Sequence, residues 1–201
     1  MYDTASDWPN NPHALFQEWM AEAVDKEINN PNAMCVSTVD ADGKPSSRML
    51  LLKGHDENGF VFYTNEESRK GQNLAINKNV ALCFYWKSMN RQVRIEGTVS
   101  YVSDTESDAY FRSRHPHSRI GAWASHQSRP LKNREEFETR FAEFEAKYPN
   151  EDDIPRPPHW RGFRVTPTHI EFWIEELYRL HRRCAFTLDA DKKWQKEMLY
   201  P

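Results

Sequence analysis

Arg48-Met49-Leu50-Leu51-Leu52-Lys53 is an apolar segment with a cation at each end, and Asn58-Gly59-Phe60-Val61-Phe62-Tyr63-Thr64 follows closely behind it. Asn-Gly between two such runs is the strongest short-range hairpin signal, because tight primed turns need positive φ at their central positions. The pair predicts a hairpin in which 60–64 returns against 48–53. Ser68 is then placed to cap a helix running through Leu74 and Ile76, with Arg69 and Lys70 in its first turn. Two cations there oppose the helix dipole. A phosphate on the free N–H groups would resolve the conflict, and the plainer alternative is a solvated basic turn.

On the N-terminal side, Ala33 to Val39 and Ser46 to Lys53 read as strands around an Asp40-Ala41-Asp42-Gly43 turn, so that a three-strand meander is predicted. Arg48 and Lys53 are an odd number of residues apart and fall on opposite faces unless a bulge intervenes. Pro12 to Ile28 is helical, with Leu15, Phe16, Trp19, Met20, Ala23 and Val24 on one face. Residues 1–11 are polar, rich in Pro and Asn, and read as a mobile arm. No linker divides 12–201, which reads as a single domain.

On the C-terminal side, Val80 to Trp86 is an apolar run, and Arg91 to Val102 alternates Gln92, Arg94 and Glu96 against Val93, Ile95 and Gly97. That polar face is either solvent, the plainer reading, or the wall of a cleft. Asn133 with Glu136 starts an acidic helix striped by Phe137, Phe141 and Phe144. Closing strands are predicted at 160–165, 170–173, 179–188 and 194–199. The fold class is thus mainly β with peripheral helices (α+β) and antiparallel pairing.

Composition narrows the function. Among 201 residues, 38% are apolar and 13% aromatic, and the formal net charge is −3. Mean hydropathy is −0.88. A core of large rings is implied, and the charge argues against a protein that coats nucleic acid or an anionic membrane. Any anion site must be local. The three cysteines, Cys35, Cys83 and Cys184, lie in apolar runs and read as reduced core thiols. With no basic-then-apolar leader pattern at Met1, a cytoplasmic location is expected. His115, His117 and His126 have no Asp, Glu or Cys at ligand spacing, so a metal site is not predicted.

Two further patterns suggest anion binding. Ser103-Asp104 opens a short helix on which Tyr110 and Arg114, at i,i+4, share a face, with Ser118 just past its end. Phosphate oxygens accept from a phenol, a guanidinium and a hydroxyl alike. In the third closing strand Arg179, His181 and Arg183 alternate with Leu180, Arg182 and Cys184, and so project together beside Trp173. Such a face suits an anionic aromatic ligand.

Arg48 to Lys53, Phe62-Tyr63-Thr64-Asn65 with Ser68-Arg69-Lys70, Arg91-Gln92-Val93, Tyr110-Phe111 with Ser113-Arg114, Ser118 to Trp123, Gln127-Ser128, Glu171-Phe172-Trp173 and Arg179-Leu180-His181 resemble, in order, the motifs of the pyridoxine (pyridoxamine) 5′-phosphate oxidases. The resemblance runs from about Pro12 to Pro201. It implies an FMN-binding split β-barrel acting as a homodimer, with FMN between subunits. Flavin contacts are implied at Arg48, Met49, Leu50, Leu51, Lys53, Tyr63, Thr64, Arg69, Lys70, Gln92, Gln127, Ser128, Trp173 and Arg183. Contacts to the substrate phosphate are implied at Lys53, Tyr110, Arg114 and Ser118, and to the pyridine ring at Arg179 and His181.

The implied reaction is oxidation of pyridoxamine or pyridoxine 5′-phosphate to pyridoxal 5′-phosphate by dioxygen, with hydrogen peroxide released. The cofactor then carries the difficult chemistry, and Arg179 and His181 hold the ring against it. The chain departs from the family pattern at Glu175-Glu176, Arg182 and Met198, and Met1 to Asn11 matches no closing segment. Alternatives are a phenazine-type flavin oxidase of the same fold, a non-catalytic FMN- or pyridoxal-phosphate-binding protein, and a barrel that binds single-stranded RNA. The net charge of −3 speaks against the last.

Overall fold

The structure, a computed structural model, describes residues 2–201. Its helices are α1 (Pro12–Lys26), α2 (Arg69–Ile76), α3 (Asp104–Ser113), α4 (Pro116–Ala124) and α5 (Arg134–Lys147). Its strands are β1 (Ala33–Val39), β2 (Pro45–Leu51), β3 (Gly54–Asp56), β4 (Gly59–Asn65), β5 (Asn79–Trp86), β6 (Arg91–Tyr101), β7 (Trp160–Ile174), β8 (Arg182–Leu188) and β9 (Trp194–Leu199). None of the described helices is long and apolar enough to cross a membrane.

The strands form one antiparallel sheet in the order β2-β1-β5-β6-β7-β4-β3, with β8 and β9 branching from β7. The strands at the two ends of that order, β2 and β3, are consecutive in the chain. At the seam between them, Leu52 N–H donates to the Asn32 carbonyl at 2.8 Å, and Lys53 N–H donates to the Val61 carbonyl at 2.8 Å. Neighbouring amides are thus held by opposite edges of the sheet, which curls round into an open barrel.

The split lies in β7. Trp160 to Val165 pair with β4, His169 to Ile174 pair with β8, and β6 runs along the other side of both halves. Between them the register against β6 shifts at Glu96/Gly97, opposite Pro167. A proline has no N–H to give to a ladder, which suits a point where partners change. A Cβ at Gly97 would lie 2.2 Å from the Thr166 carbonyl oxygen, so only glycine lets the strands approach this closely.

Helix α1 closes the barrel floor. Asn11 caps it by accepting the His13 and Ala14 N–H groups, and Pro12 occupies its first turn. Leu15, Phe16, Trp19, Met20 and Ala23 are buried against the sheet. Phe16 meets Phe60 edge-on at 4.8 Å and Phe84 at 5.2 Å, while Trp19 meets Phe172 at 5.1 Å. Full burial of such a side chain contributes about 2–3 kcal/mol. A second cluster around Phe111, Ile120, Ile154 and Trp160 packs α3, α4 and α5 beside the start of β7.

Several expectations are corrected. The hairpin forms, but its loop is Glu57-Asn58, with positive φ at Gly59 alone and not at Asn58; its other arm is the short β3, while β2 keeps only the predicted pairing with β1. The predicted strands at 160–165 and 170–173 are one strand. Residues 177–179 form a 3-10 turn and β8 starts only at Arg182, so Arg179 and His181 do not alternate with Arg183 along a strand. Val24 is exposed rather than on the buried face of α1. Cys35 and Cys83 are half-buried register partners across β1 and β5, whereas Cys184 is a core thiol.

The arm expected to be mobile is described over 2–11, where residues 3–7 are exposed and Tyr2 and Trp8 anchor on the core. Trp8 is 1% exposed and stacks on Tyr2 at 4.3 Å. Lys196 Nζ donates to the Trp8 carbonyl, and Asp3 pairs with Arg182 at 3.3 Å.

Candidate active site

A cavity of about 680 Å³ opens between β2, β4 and the α3–α4 pair. Ser103 caps α3 by accepting the Glu106 N–H, and Arg114 follows its last turn. His115 caps α4, which places Ser118 in that helix's first turn and not in a loop past α3. Lys53, Tyr110, Arg114 and Ser118 all line this cavity, as the sequence pattern requires. So do Leu50, Leu51, Tyr63, Thr64 and Gln127 from the expected flavin set.

One wall is a stack of near-parallel rings, with Tyr63 at 4.1 Å from Tyr110 and at 5.2 Å from Trp160. Burial pushes the Tyr63 phenol up to about 12, and nearby Glu106 acts in the same direction, so it stays a hydrogen-bond donor. The Lys53 ammonium lies 5.8 Å from the Tyr110 ring centre and the Arg114 guanidinium 4.9 Å from that of Trp160.

Arg114 Nη1 is buried with no hydrogen-bond partner. Burial lowers the pKa of this guanidinium; Tyr110 opposes the effect and Arg119 adds to it. Arg119 is 5% exposed and its Nε also lacks a partner. A buried, unpaired donor of this kind costs free energy unless a ligand completes it. Arg119 escaped the sequence analysis, since one arginine in a short small-residue helix carries no periodic signal.

A second cationic cluster lies at the start of α2. Ser68 caps this helix as predicted, accepting the Gly71 N–H. Lys70, 7% exposed, donates to Gln127 Oε1 at 2.7 Å, Thr64 Oγ1 at 3.0 Å and Ser68 Oγ at 3.1 Å. All three acceptors are neutral. Burial, then the nearby Arg48 charge, pull its pKa down to about 8. Arg48 donates to Val36 O, Thr38 Oγ1 and Ser46 Oγ, and its own pKa is lowered by burial and by Arg69. Arg69 is exposed at the helix start.

Three more expected flavin residues form a row. Gln92, Trp173 and Arg183 are register partners across β6, β7 and β8. Arg183 Nε donates to the buried Glu171 at 2.8 Å, which raises its pKa, and Nη1 donates to the Tyr200 carbonyl. The neighbouring Arg94 also bonds Glu171, at 3.0 Å, and Glu96, at 3.3 Å, and both Arg94 and Glu96 are exposed, so in this chain the polar face of β6 is a solvent-facing ion-pair network. Met49 points outward from β2, 63% exposed, and Ser128 has φ of 73° beyond α4.

Arg179 and His181 lie elsewhere. With Trp173, Asn90, Glu175 and Glu176 they line a separate cavity of about 730 Å³. Within one chain, therefore, the residues expected to hold the substrate phosphate and those expected to hold its ring do not meet.

Charge pairing divides the cations, with Arg183 of the expected flavin set on the paired side and exposed Arg112 on the unpaired one. Arg91, Arg94, Arg156, Arg161, Arg164, Arg182 and Arg183 each pair with a carboxylate. Among the described residues, Arg48, Lys53, Arg69, Lys70, Arg114, Arg119 and Arg179 pair with none. The clusters around Arg114 and around Lys70 thus hold cations without carboxylates, a donor set suited to anions.

Comparison with known proteins agrees with this geometry. Residues 20–148 match the family model described as pyridoxamine 5′-phosphate oxidase, and 160–201 match that of the pyridoxine 5′-phosphate oxidase C-terminal dimerisation region. A pyridoxine/pyridoxamine 5′-phosphate oxidase of Novosphingobium aromaticivorans is 53% identical over 95% of this chain and 94% of its own. One of Caulobacter vibrioides is 56% identical over 95% of this chain and 85% of its own. The crystal structure of PhzG from Burkholderia lata, in complex with tetrahydrophenazine-1-carboxylic acid, superposes with a TM-score of 0.92 at 31% identity, covering 100% of this chain and 98% of that one. An FMN-binding protein of Nostoc punctiforme shares the fold, with a TM-score of 0.76 at 16% identity over 96% of this chain and all of its own. With the two family models covering nearly all of the barrel and its α3–α5 cap, the chain belongs to the pyridoxamine 5′-phosphate oxidase family.

Proposed function

We infer that the chain is an FMN-dependent oxidase that converts pyridoxamine 5′-phosphate and pyridoxine 5′-phosphate to pyridoxal 5′-phosphate. Dioxygen is the acceptor and hydrogen peroxide is released; the amine substrate also takes up water and loses ammonia. The observation that carries this reading is the α3–α4 cavity, where Lys53, Tyr110, Arg114 and Ser118 converge and the buried Arg114 lacks a partner. That donor set suits a phosphate ester better than the carboxylate of a phenazine ring, which the PhzG-like alternative would bring.

The residues at the start of α2 fit FMN. Lys70 is buried among neutral acceptors beside Arg48, with no carboxylate to satisfy it, so a phosphate dianion supplies the missing charge. Bound FMN provides the hydride acceptor. Arg48, Arg69, Lys70, Thr64, Gln127 and Ser128 would hold its phosphate end, and Met49, Leu50, Leu51, Lys53, Tyr63, Gln92, Trp173 and Arg183 the remainder. Lys53, Tyr110, Arg114 and Ser118 would anchor the substrate phosphate, while Arg179 and His181 orient the ring. Remote phosphate binding then fixes the reacting carbon, and proximity supplies most of the rate.

The separation of the two cavities favours a site completed by a second subunit. Met49, Leu51 and Tyr85 are large apolar side chains left exposed on β2 and β5, which suits burial in a homodimer. We place the enzyme in the cytoplasm, where three unpaired thiols remain reduced.

The test is a visible spectrum taken without oxygen, before and after pyridoxamine 5′-phosphate is added. Flavin bands that bleach and return with air are expected. Bands that do not bleach would remove the substrate assignment, and a protein that stays colourless after added FMN would remove the cofactor as well.

Lys70 gives FMN binding a pH dependence. The free ammonium titrates near 8, whereas a bound phosphate favours its charged form, so binding above that pH takes up a proton. The FMN Kd is expected to be flat from about pH 7 to 8 and to rise up to about tenfold per unit above. Titration by flavin fluorescence quenching checks this, and in Lys70→Met the rise should vanish.

A further inference from the structure

The turn between β7 and β8 carries Arg179 and His181 in an unusual conformation. Tyr178 and Arg179 have φ of 58° and 65°, and neither is a glycine, so contacts around the turn must hold it. The Glu176 N–H donates to His181 Nδ1 at 3.3 Å. With Nδ1 accepting, the neutral imidazole carries its hydrogen on Nε2 and offers it as the ring's one donor. The His181 ring rests 4.5 Å from that of Trp173.

The Glu176 carboxylate is in turn 3.5 Å from Arg182 Nε, and Arg182 Nη2 is 3.3 Å from Asp3. Glu176 and Arg182 are two of the positions where the sequence departs from the family pattern. In this chain they face each other with opposite charge, and Asp3 belongs to the segment docked by the buried Trp8.

We propose that Arg182 is a positioning residue for His181, acting through Glu176, whose backbone fixes the imidazole while its carboxylate is held by Arg182, itself anchored from the other side by Asp3 of the N-terminal segment. The inference rests on the role given to His181 above. The clamp lies outside both phosphate sites, so its loss should disorder the ring's orientation and leave phosphate anchoring intact.

The experiment has two readouts on the full-length, FMN-loaded protein. In 15N-imidazole spectra, wild-type His181 is expected as the Nε2–H tautomer and Arg182→Ala as a tautomer mixture. In turnover of pyridoxamine 5′-phosphate, Arg182→Ala should lower kcat about 3- to 10-fold with KM within twofold and FMN content unchanged, as for a lost orienting contact. In an Asp3→Asn background, which removes the acid that the swapped glutamate would face, the charge-swapped double variant Glu176→Arg with Arg182→Glu should recover kcat to within about twofold of that background. A wild-type Nδ1–H tautomer, a tautomer unmoved by Arg182→Ala, or a double variant no better than the single ones would overturn the proposal. The spectra need no turnover, so they stand apart from any failure of the substrate assignment.

Discussion

Arg114→Ala is expected to raise KM for pyridoxamine 5′-phosphate by about 10²- to 10³-fold, with a far smaller change in kcat. Removing a desolvated, charge-assisted contact to a phosphate costs about 3–4 kcal/mol, and the reacting carbon lies at the other end of the substrate. The same substitution should change the stability of the ligand-free protein by no more than about 1 kcal/mol. It deletes contacts with the Trp160 ring, yet it also relieves a buried guanidinium whose Nη1 has no partner. Arg114→Lys should recover only part of the affinity, because a point charge does not replace a planar fork. Steady-state kinetics with a thermal melt of the same samples decides the matter. A KM within twofold of wild type would remove Arg114 from the phosphate site.

Gly97→Ala should be among the most damaging methyl groups in the barrel. Its Cβ would lie 2.2 Å from the Thr166 carbonyl oxygen and 2.9 Å from Pro167 Cα, both backbone atoms that no rotamer change can move aside. The β6–β7 ladder must open at the place where β7 exchanges β4 for β8. A loss of about 3 kcal/mol is expected, or roughly 6–12 °C in Tm for a chain of this size. Gly121→Ala is the control, since its nearest neighbour is the Phe141 ring at 4.0 Å. Differential scanning calorimetry of both variants tests the contrast, and equal melting temperatures would show that the bulge can absorb a side chain.

What the sequence made legible was local. The hairpin at Asn58-Gly59, the Ser68 and Ser103 caps and the buried face of α1 each depend on residues within a few positions of one another, and each is found. Strand partners are not local. Phe60 pairs with Val165, so nothing within the hairpin could show that β4 leaves β2 for a strand a hundred residues away. The predicted strand from Arg179 failed because alternation was read across a turn, and positive φ at Tyr178 and Arg179 is invisible where no glycine marks it.

The site followed the same division. Tyr110, Arg114 and Ser118 were singled out by helical spacing and donor chemistry and Lys53 by the family motifs, and the fold brings all four to one cavity. Arg119 was missed because its burial is decided by α5 and the Phe111–Trp160 cluster, not by its neighbours in sequence. Trp8 was missed for a similar reason: a single aromatic in a Pro- and Asn-rich stretch looks like an arm until the barrel offers it a seat.

The seam between Leu52 and Lys53 limits how this chain can change its length. Loops at the ends of hairpins can gain or lose residues without moving the strands they join. Here a single peptide link separates an amide bonded to Asn32 from one bonded to Val61. An extra residue at that link would either unpair one of the two edges or turn the buried Leu52 outward and Lys53 away from Tyr110. Insertions are tolerable at the Asp40–Gly43 turn or between α4 and α5, but this link can vary only by substitution, so a shared spacing from Arg48 to Lys53 is a more discriminating mark of a common ancestor than any one residue within it.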